Sequence, residues 1–299
     1  MAAAGLLPVT MDFVFKLIFG DRRNVDILGD FLKSVLDIPA DEYESVTVLD
    51  PDGEYEGLAV LDSFLKKEHE GDKSGILDVK VQTKRGHIVN VEIQVRRIPE
   101  MKHRSVYFIS KMVTEQMAAG RSHADIKRSV SIIITCETIV PENAHYHNQF
   151  RYRSHRDGAE FTDLTEINTL ELSKLPDDED GLELWRWMKF IESGDEGVLN
   201  MLAEKNPKIQ KAVGVLKELS ADERARMLHE RREIARRDMV SLMDGAKREG
   251  RIEGRVEGRA EGRNERTLEL ARNFLRLNVP LRQIAEGAGL SQEEVEALR

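Results

Sequence analysis

The stretch from Ile76 to Val95 most constrains what this chain can fold into. Ile76 to Gln82 and Ile88 to Val95 alternate apolar and polar side chains, and Lys84-Arg85-Gly86 stands between them. A period of two belongs to a strand with one buried face, and a short polar connection ending in glycine joins two such strands as a hairpin. With the turn at 84–86, Thr83 faces His87, and counting outward sets Lys80 against Asn90 and Asp78 against Glu92. Leu77, Val79 and Val81 then share the buried face with Val89, Val91, Ile93 and Val95. Asp78, Lys80, Asn90, Glu92 and Gln94 fall together on the other.

The flanking sequence changes period. Met11 to Leu36 reads as helix with a break at Gly20-Asp21, Ser45 to Leu49 as a strand, and Arg104 to Gly120 as a helix whose apolar residues recur at three and four. Ser129 to Thr135, with Ile132-Ile133-Ile134 within it, reads as a strand of the fully buried kind. Arg151 to Arg153 and Leu164 to Leu172 read as further strands, and the chain is helical from Pro176, with Trp185, Met188 and Ile191 packed inward. The expected class is α/β, a mixed sheet flanked by helices followed by a helical C-terminal region. The segments are 1–175, a helical region 176–243, a repeat 244–266, and a helical hairpin 267–299.

Composition narrows the function classes. Hydrophobic residues are 40% and charged residues 33%, with no apolar run long enough for a membrane span, and the amino terminus lacks a signal-peptide pattern. A cytosolic protein without a membrane partner is expected. The single cysteine, Cys136, excludes an internal disulfide and reads as a buried structural thiol; His145, His147 and His155 are too loosely spaced for a metal site and read as loop histidines. The net charge of −9 is unevenly spread. Residues 41–75 carry eleven acids against three bases, whereas residues 78–128 carry eleven Lys and Arg against five acids, a local balance of +6. That island suits a polyanion or a solvated surface.

Residues 249–263 repeat Glu-Gly-Arg with Ile252, Val256 and Ala260 between. In a helix this stacks Arg251, Arg255 and Arg259 at i,i+4, and Glu253, Glu257 and Glu261 likewise, which weakens an isolated helix. A partner chain offering its Glu row to this Arg row, with Gly250, Gly254 and Gly258 admitting close approach, is one reading. A flexible charged linker is the other. The segment Leu281 to Leu298, with Gly289 at its turn, has helix-turn-helix spacing, but Glu293, Glu294 and Glu296 make its second helix acidic, so it is expected to serve assembly.

Two carboxylates on one rung repel unless a cation neutralises them, and a hard divalent ion is held in this way while taking phosphate oxygens to complete its shell. Neutralisation of both acids by Lys80 on a surface hairpin is the alternative. Ile76-Leu77-Asp78-Val79-Lys80 followed by Val91-Glu92-Ile93-Gln94 resembles the core of the PD-(D/E)XK nuclease superfamily. More narrowly, the chain resembles the Rpn family of recombination-promoting, transposase-like nucleases, whose opening helix is similar to Met11 to Gly20 and whose later helix is similar to Arg104 to Lys111 through Gln116 and Gly120.

The resemblance implies a restriction-endonuclease-like fold and hydrolysis of DNA phosphodiesters with low sequence specificity. It implies Mg²⁺ (or Mn²⁺) held by Asp78 and Glu92, with Asp12 as a further acid acting through water, and a water activated at the cation. Gln94 takes the place of the superfamily's lysine, and Lys80 on the same face supplies the positive charge that an amide lacks. Arg104, Lys111 and Gln116 are expected against backbone phosphate within the basic residues 96–128. DNA and a second copy of the chain are the expected partners. The alternatives are a non-catalytic DNA-binding or assembly protein with a vestigial site, and a recombination accessory that acts only with partners.

Overall fold

The structure, a computed structural model, describes residues 5–36, 79–95, 98–117 and 122–299, together with the backbone of 47–48. Helices α1 (Asp12–Phe19) and α2 (Val25–Val35) are separated by a short 3₁₀ turn whose start is capped by the Asp21 side chain, which accepts from the Arg23 amide at 2.9 Å. Gly20, at the end of α1, is tightly packed: a Cβ there would stand 2.7 Å from the Lys16 carbonyl oxygen and 3.3 Å from Val79.

Strands β1 (Thr47–Val48), β2 (Val79–Gln82), β3 (Ile88–Gln94), β4 (Ser129–Thr135), β5 (His147–Arg153) and β6 (Glu160–Glu171) form one sheet in the order β1-β2-β3-β4-β6-β5. The β2–β3 pair is antiparallel, β4 runs parallel to both β3 and β6, and β5 is an antiparallel edge. The sheet is therefore mixed. The hairpin register is the one counted from the turn: Lys80 faces Asn90, Val79 faces Val91, and the Thr83 amide donates to the His87 carbonyl at 2.9 Å. Gly86 adopts φ +84° in the turn, a conformation that suits glycine. Every residue of β4 is buried between two parallel neighbours, Ser129, Ser131 and Thr135 included.

One face of the sheet carries the main core. Val79, Val81, Val89, Val91, Ile93, Val130, Ile132 and Ile134 pack with α1, α2 and the helices α4 (Glu183–Glu192), α5 (Glu196–Lys205) and α6 (Pro207–Ala221). Phe19 meets Phe31 at 5.4 Å and Trp187 at 5.6 Å between ring centroids. Trp185, Met188 and Ile191 are buried in the same core, which joins Leu7 to Leu228. Residue 175 thus marks the change from sheet to helices within one continuous core.

Helix α3 (Met101–Thr114) lies against β4 and β6 on the opposite face. It begins earlier and ends earlier than its apolar spacing suggests, and just past its end Gln116 turns its side chain to the start of β4. Val95, counted with the buried face, lies past the end of β3 and is 43% exposed.

Compactness divides the chain into Met1–His229 and Glu230–Arg299. The charged repeat lies within α7 (Glu223–Arg276). In the second unit α8 (Leu281–Ala288) and α9 (Gln292–Glu296) form the expected hairpin, turning at Gly289 in the left-handed region, with Ala271, Ile284, Ala285 and Val295 as its core. Among the described residues no helix is long and apolar enough to cross a membrane.

Candidate active site

The polar face of the hairpin is covered. Asn90 is 7% exposed and Glu92 5%, and Arg104 of α3 reaches over to Glu92 on this face. A buried carboxylate is costly unless a cation and hydrogen-bond donors match it. Glu92 has both: its Oε1 accepts from the Arg104 guanidinium at 3.1 Å and from Nε2 of Gln94. Arg104 comes from the first turns of α3 and stacks its guanidinium 4.7 Å from the Phe108 ring centre, one helical turn on. Alternation along β3 puts Glu92 and Gln94 on one face, and the bond between them uses the Nε2 end of the Gln94 amide.

Lys80 has a different partner from the one expected of a hairpin that neutralises itself. Its Nζ lies 3.1 Å from Glu115 Oε2, and Lys111 approaches the other oxygen of Glu115 at 3.7 Å. Glu115 was not singled out from the sequence, although its place four residues after Lys111 signals a helix-surface pair. Arg104, Lys111 and Glu115 therefore lie along α3 and its C-cap, with Lys80 and Glu92 facing them from the hairpin.

Gln116 is spent within the chain. Its Oε1 accepts from the Lys127 amide at 2.8 Å, and its Nε2 donates to the Lys127 carbonyl at 3.1 Å and to Ser129 Oγ at 3.0 Å. It fastens the end of α3 to the start of β4. Asp12 opens α1, and its Oδ1 accepts from the Phe13 amide at 2.7 Å, a favourable place for an acid at a helix start. Asp78 lies outside the described residues, as do Arg96, Arg97 and Arg121 of the basic island.

The donors present suit a hard cation. Glu92 offers a carboxylate and Gln94 an amide oxygen, the ligand chemistry of Mg²⁺ or Mn²⁺. Among the described residues, however, no group of three or more His, Cys, Asp or Glu side chains gathers at one place. A set of two carboxylates requires Asp78.

The remaining candidates from the sequence have other settings. His147 lies in β5, not in a loop, with Nε2 2.8 Å from Asn168 Oδ1. Cys136 packs against the main core, and burial, aided by Glu137 and Glu192, pushes its thiol pKa up. Glu166 is buried on the core face; burial raises its pKa, but hydrogen bonds from Asn168, Gln149 and Arg151 and the charge of Arg128 outweigh that and hold it below the usual range.

A mixed sheet flanked by helices, with a Glu-x-Gln strand on its central hairpin, defines an α/β protein of the PD-(D/E)XK nuclease class. Comparison with protein families matches residues 9–246 to the PD-(D/E)XK nuclease family transposases. The chain belongs to that family. Comparison with curated proteins and with solved structures gives no match.

Proposed function

We propose that this chain is a divalent-cation-dependent DNA nuclease that hydrolyses phosphodiester bonds with low sequence specificity, acting in the cytosol in recombination or transposition. The observation that carries this reading is Glu92, a 5% exposed carboxylate on the hairpin of a PD-(D/E)XK sheet beside a helix bearing Arg104 and Lys111. Asp78 would be its fellow ligand, the residue that counting back from the turn in the sequence sets against Glu92. Asp12 would add an outer acid, acting through water.

When bound, Mg²⁺ or Mn²⁺ supplies polarisation of the scissile phosphate and acidification of the attacking water. The chain's own residues hold and orient. Glu92 and Asp78 would hold the cation, Gln94 holds the Glu92 carboxylate by its amide and its carbonyl would orient a water, and Lys80 would place positive charge beside the phosphate. Arg104 and Lys111 take backbone phosphates, contacts that fix position and carry no base information. Gln116, with its amide engaged in the chain, supports these residues by holding α3 in place. The C-terminal repeat and hairpin join copies of the chain.

One contact favours a second reading. Arg104 already balances the charge of Glu92, as a purely structural pair would, and this suits a non-catalytic DNA-binding or assembly protein. Conversion of supercoiled plasmid to nicked and linear forms separates the two. Cleavage that needs Mg²⁺ and falls at least about a hundredfold in folded Asp78→Ala and Glu92→Ala proteins is expected for the nuclease. Identical behaviour of wild type and variants would sink it.

A further inference from the structure

Helix α3 carries a large aromatic side chain that its buried side does not use. Met101, Ser105, Ile109 and Met112 form that buried side. Arg104, Phe108, Lys111 and the C-cap residue Glu115, at i, i+4, i+7 and i+11, form the flank that meets the hairpin, since Arg104 reaches Glu92 and Glu115 reaches Lys80. At about 100° per residue Tyr107 falls on the solvent side of that flank, and it is 63% exposed.

Direct contacts tie this ring to the candidate site. Tyr107 meets Phe108 edge to face, with 5.3 Å between ring centroids and 76° between planes. The Arg104 guanidinium lies 4.7 Å from the Phe108 ring centre and 3.1 Å from the Glu92 carboxylate. Three contacts thus lead from the buried carboxylate to a solvent-facing phenol. Lys111, with its side chain 54% exposed, stands one helical turn beyond Tyr107. A lone exposed aromatic is ordinary on a protein surface. This one is held against a second ring and set between two cations, and such interleaving suits a nucleic-acid strand, whose phosphates meet the cations and whose base faces meet the rings.

Stacking decides which DNA fits. Within a duplex each base face is covered by its neighbouring pairs, so a ring on the outside of a helix reaches one only where a strand is unpaired or ends. Phosphate contacts alone would serve continuous duplex as well. Every base has a π face, so a preference for unpaired strand brings no preference for sequence.

We propose that Tyr107, backed by Phe108, is a stacking platform for an unpaired base beside the candidate active site, so that the DNA this chain takes carries an unpaired stretch, such as a single-stranded tail. This rests on the nuclease reading and names its substrate class.

The test measures binding by the full chain, without divalent cation so that no strand is cut, to a duplex with a single-stranded tail and to the same duplex with an abasic tail. The phosphates are equal in the two, and only the first has bases to stack. Wild type should bind the tail with bases more tightly, Tyr107→Ala should lose roughly five- to 150-fold of that affinity, and Tyr107→Trp should retain it. Both wild type and Tyr107→Ala should bind the abasic tail alike. A 2-aminopurine in the tail should be quenched on binding wild type and stay bright with Tyr107→Ala. Equal affinity of wild type for the two tails, or a preference that survives Tyr107→Ala, overturns the platform. Plasmid cleavage that needs Mg²⁺ without base-dependent binding overturns the platform alone, and base-dependent binding without such cleavage overturns the nuclease reading and leaves the platform.

Discussion

Arg104 and Glu92 meet across two elements: the guanidinium of a helix residue lies 3.1 Å from the carboxylate of a strand residue that is 7% exposed at its side chain. The contact couples the charge balance of the candidate site to the seating of α3. Any cation that binds Glu92 must share that carboxylate with Arg104 or displace it.

Replacing Arg104 with Met keeps the apolar stem and removes the charge. Glu92 is then left buried with only the Gln94 amide, at an expected cost of about 1–3 kcal/mol, less than for a fully buried pair because Arg104 is partly open to solvent. Urea unfolding measures this. Millimolar Mg²⁺ should raise the unfolding midpoint of Arg104→Met more than that of wild type, since the competitor for the carboxylate is gone. An equal response in both proteins would count against competition at Glu92.

Gln116 closes three hydrogen bonds between the end of α3 and the start of β4. Gln116→Ala should cost about 1–2 kcal/mol and expose the Lys127 amide to exchange roughly tenfold faster, because that amide loses its acceptor. Gln116→Glu keeps the acceptor and loses both donors. It should protect the Lys127 amide while recovering only part of the stability, a split that amide exchange read beside denaturant unfolding would reveal.

Acid should loosen the contact between α2 and α6. Burial raises the pKa of Asp26, but the hydrogen bonds and charges of Lys211 and Lys208 outweigh that and bring it to about 2 from 3.8. A depressed carboxylate stabilises the fold above its unfolded value and loses that contribution as pH falls through the folded one. The window is therefore between about pH 4 and pH 2. Asp26→Asn should flatten the stability profile there and leave its shape above pH 5 unchanged. Because the Asp26 side chain is 37% exposed, the amplitude should stay below about 1 kcal/mol. An unchanged acid limb in the variant would assign the loss to other carboxylates.

The hairpin was legible because alternation and turn chemistry are local: the register of Lys80 with Asn90 follows from counting back from Lys84-Arg85-Gly86. The buried strand β4 and the break at Gly20-Asp21 were legible for the same reason. What covers a face is not written in its own strand. Glu92 and Asn90 alternate like solvent-facing residues, yet both are buried, and Glu92 pairs with Arg104 of α3 from beyond the hairpin. Likewise Glu115 becomes the partner of Lys80 through a contact thirty-five positions long, and Gln116 turns inward because β4 begins beneath it. Asp78, the residue on which the two-carboxylate site depends, lies outside the described residues, so that pairing stays with the experiment on cleavage.

The stacking of Phe19 and Phe31 on Trp187 has a consequence for synthesis. Both phenylalanines leave the ribosome some 150 residues before the tryptophan that covers them, a delay of roughly ten to thirty seconds at ordinary elongation rates. Throughout that interval the sides of Phe19 and Phe31 that Trp187 covers stay without their native cover. Nascent chains of this protein should therefore engage chaperones early and release them once α4 has emerged, and a truncation ending before Trp187 should be found bound to chaperones or degraded.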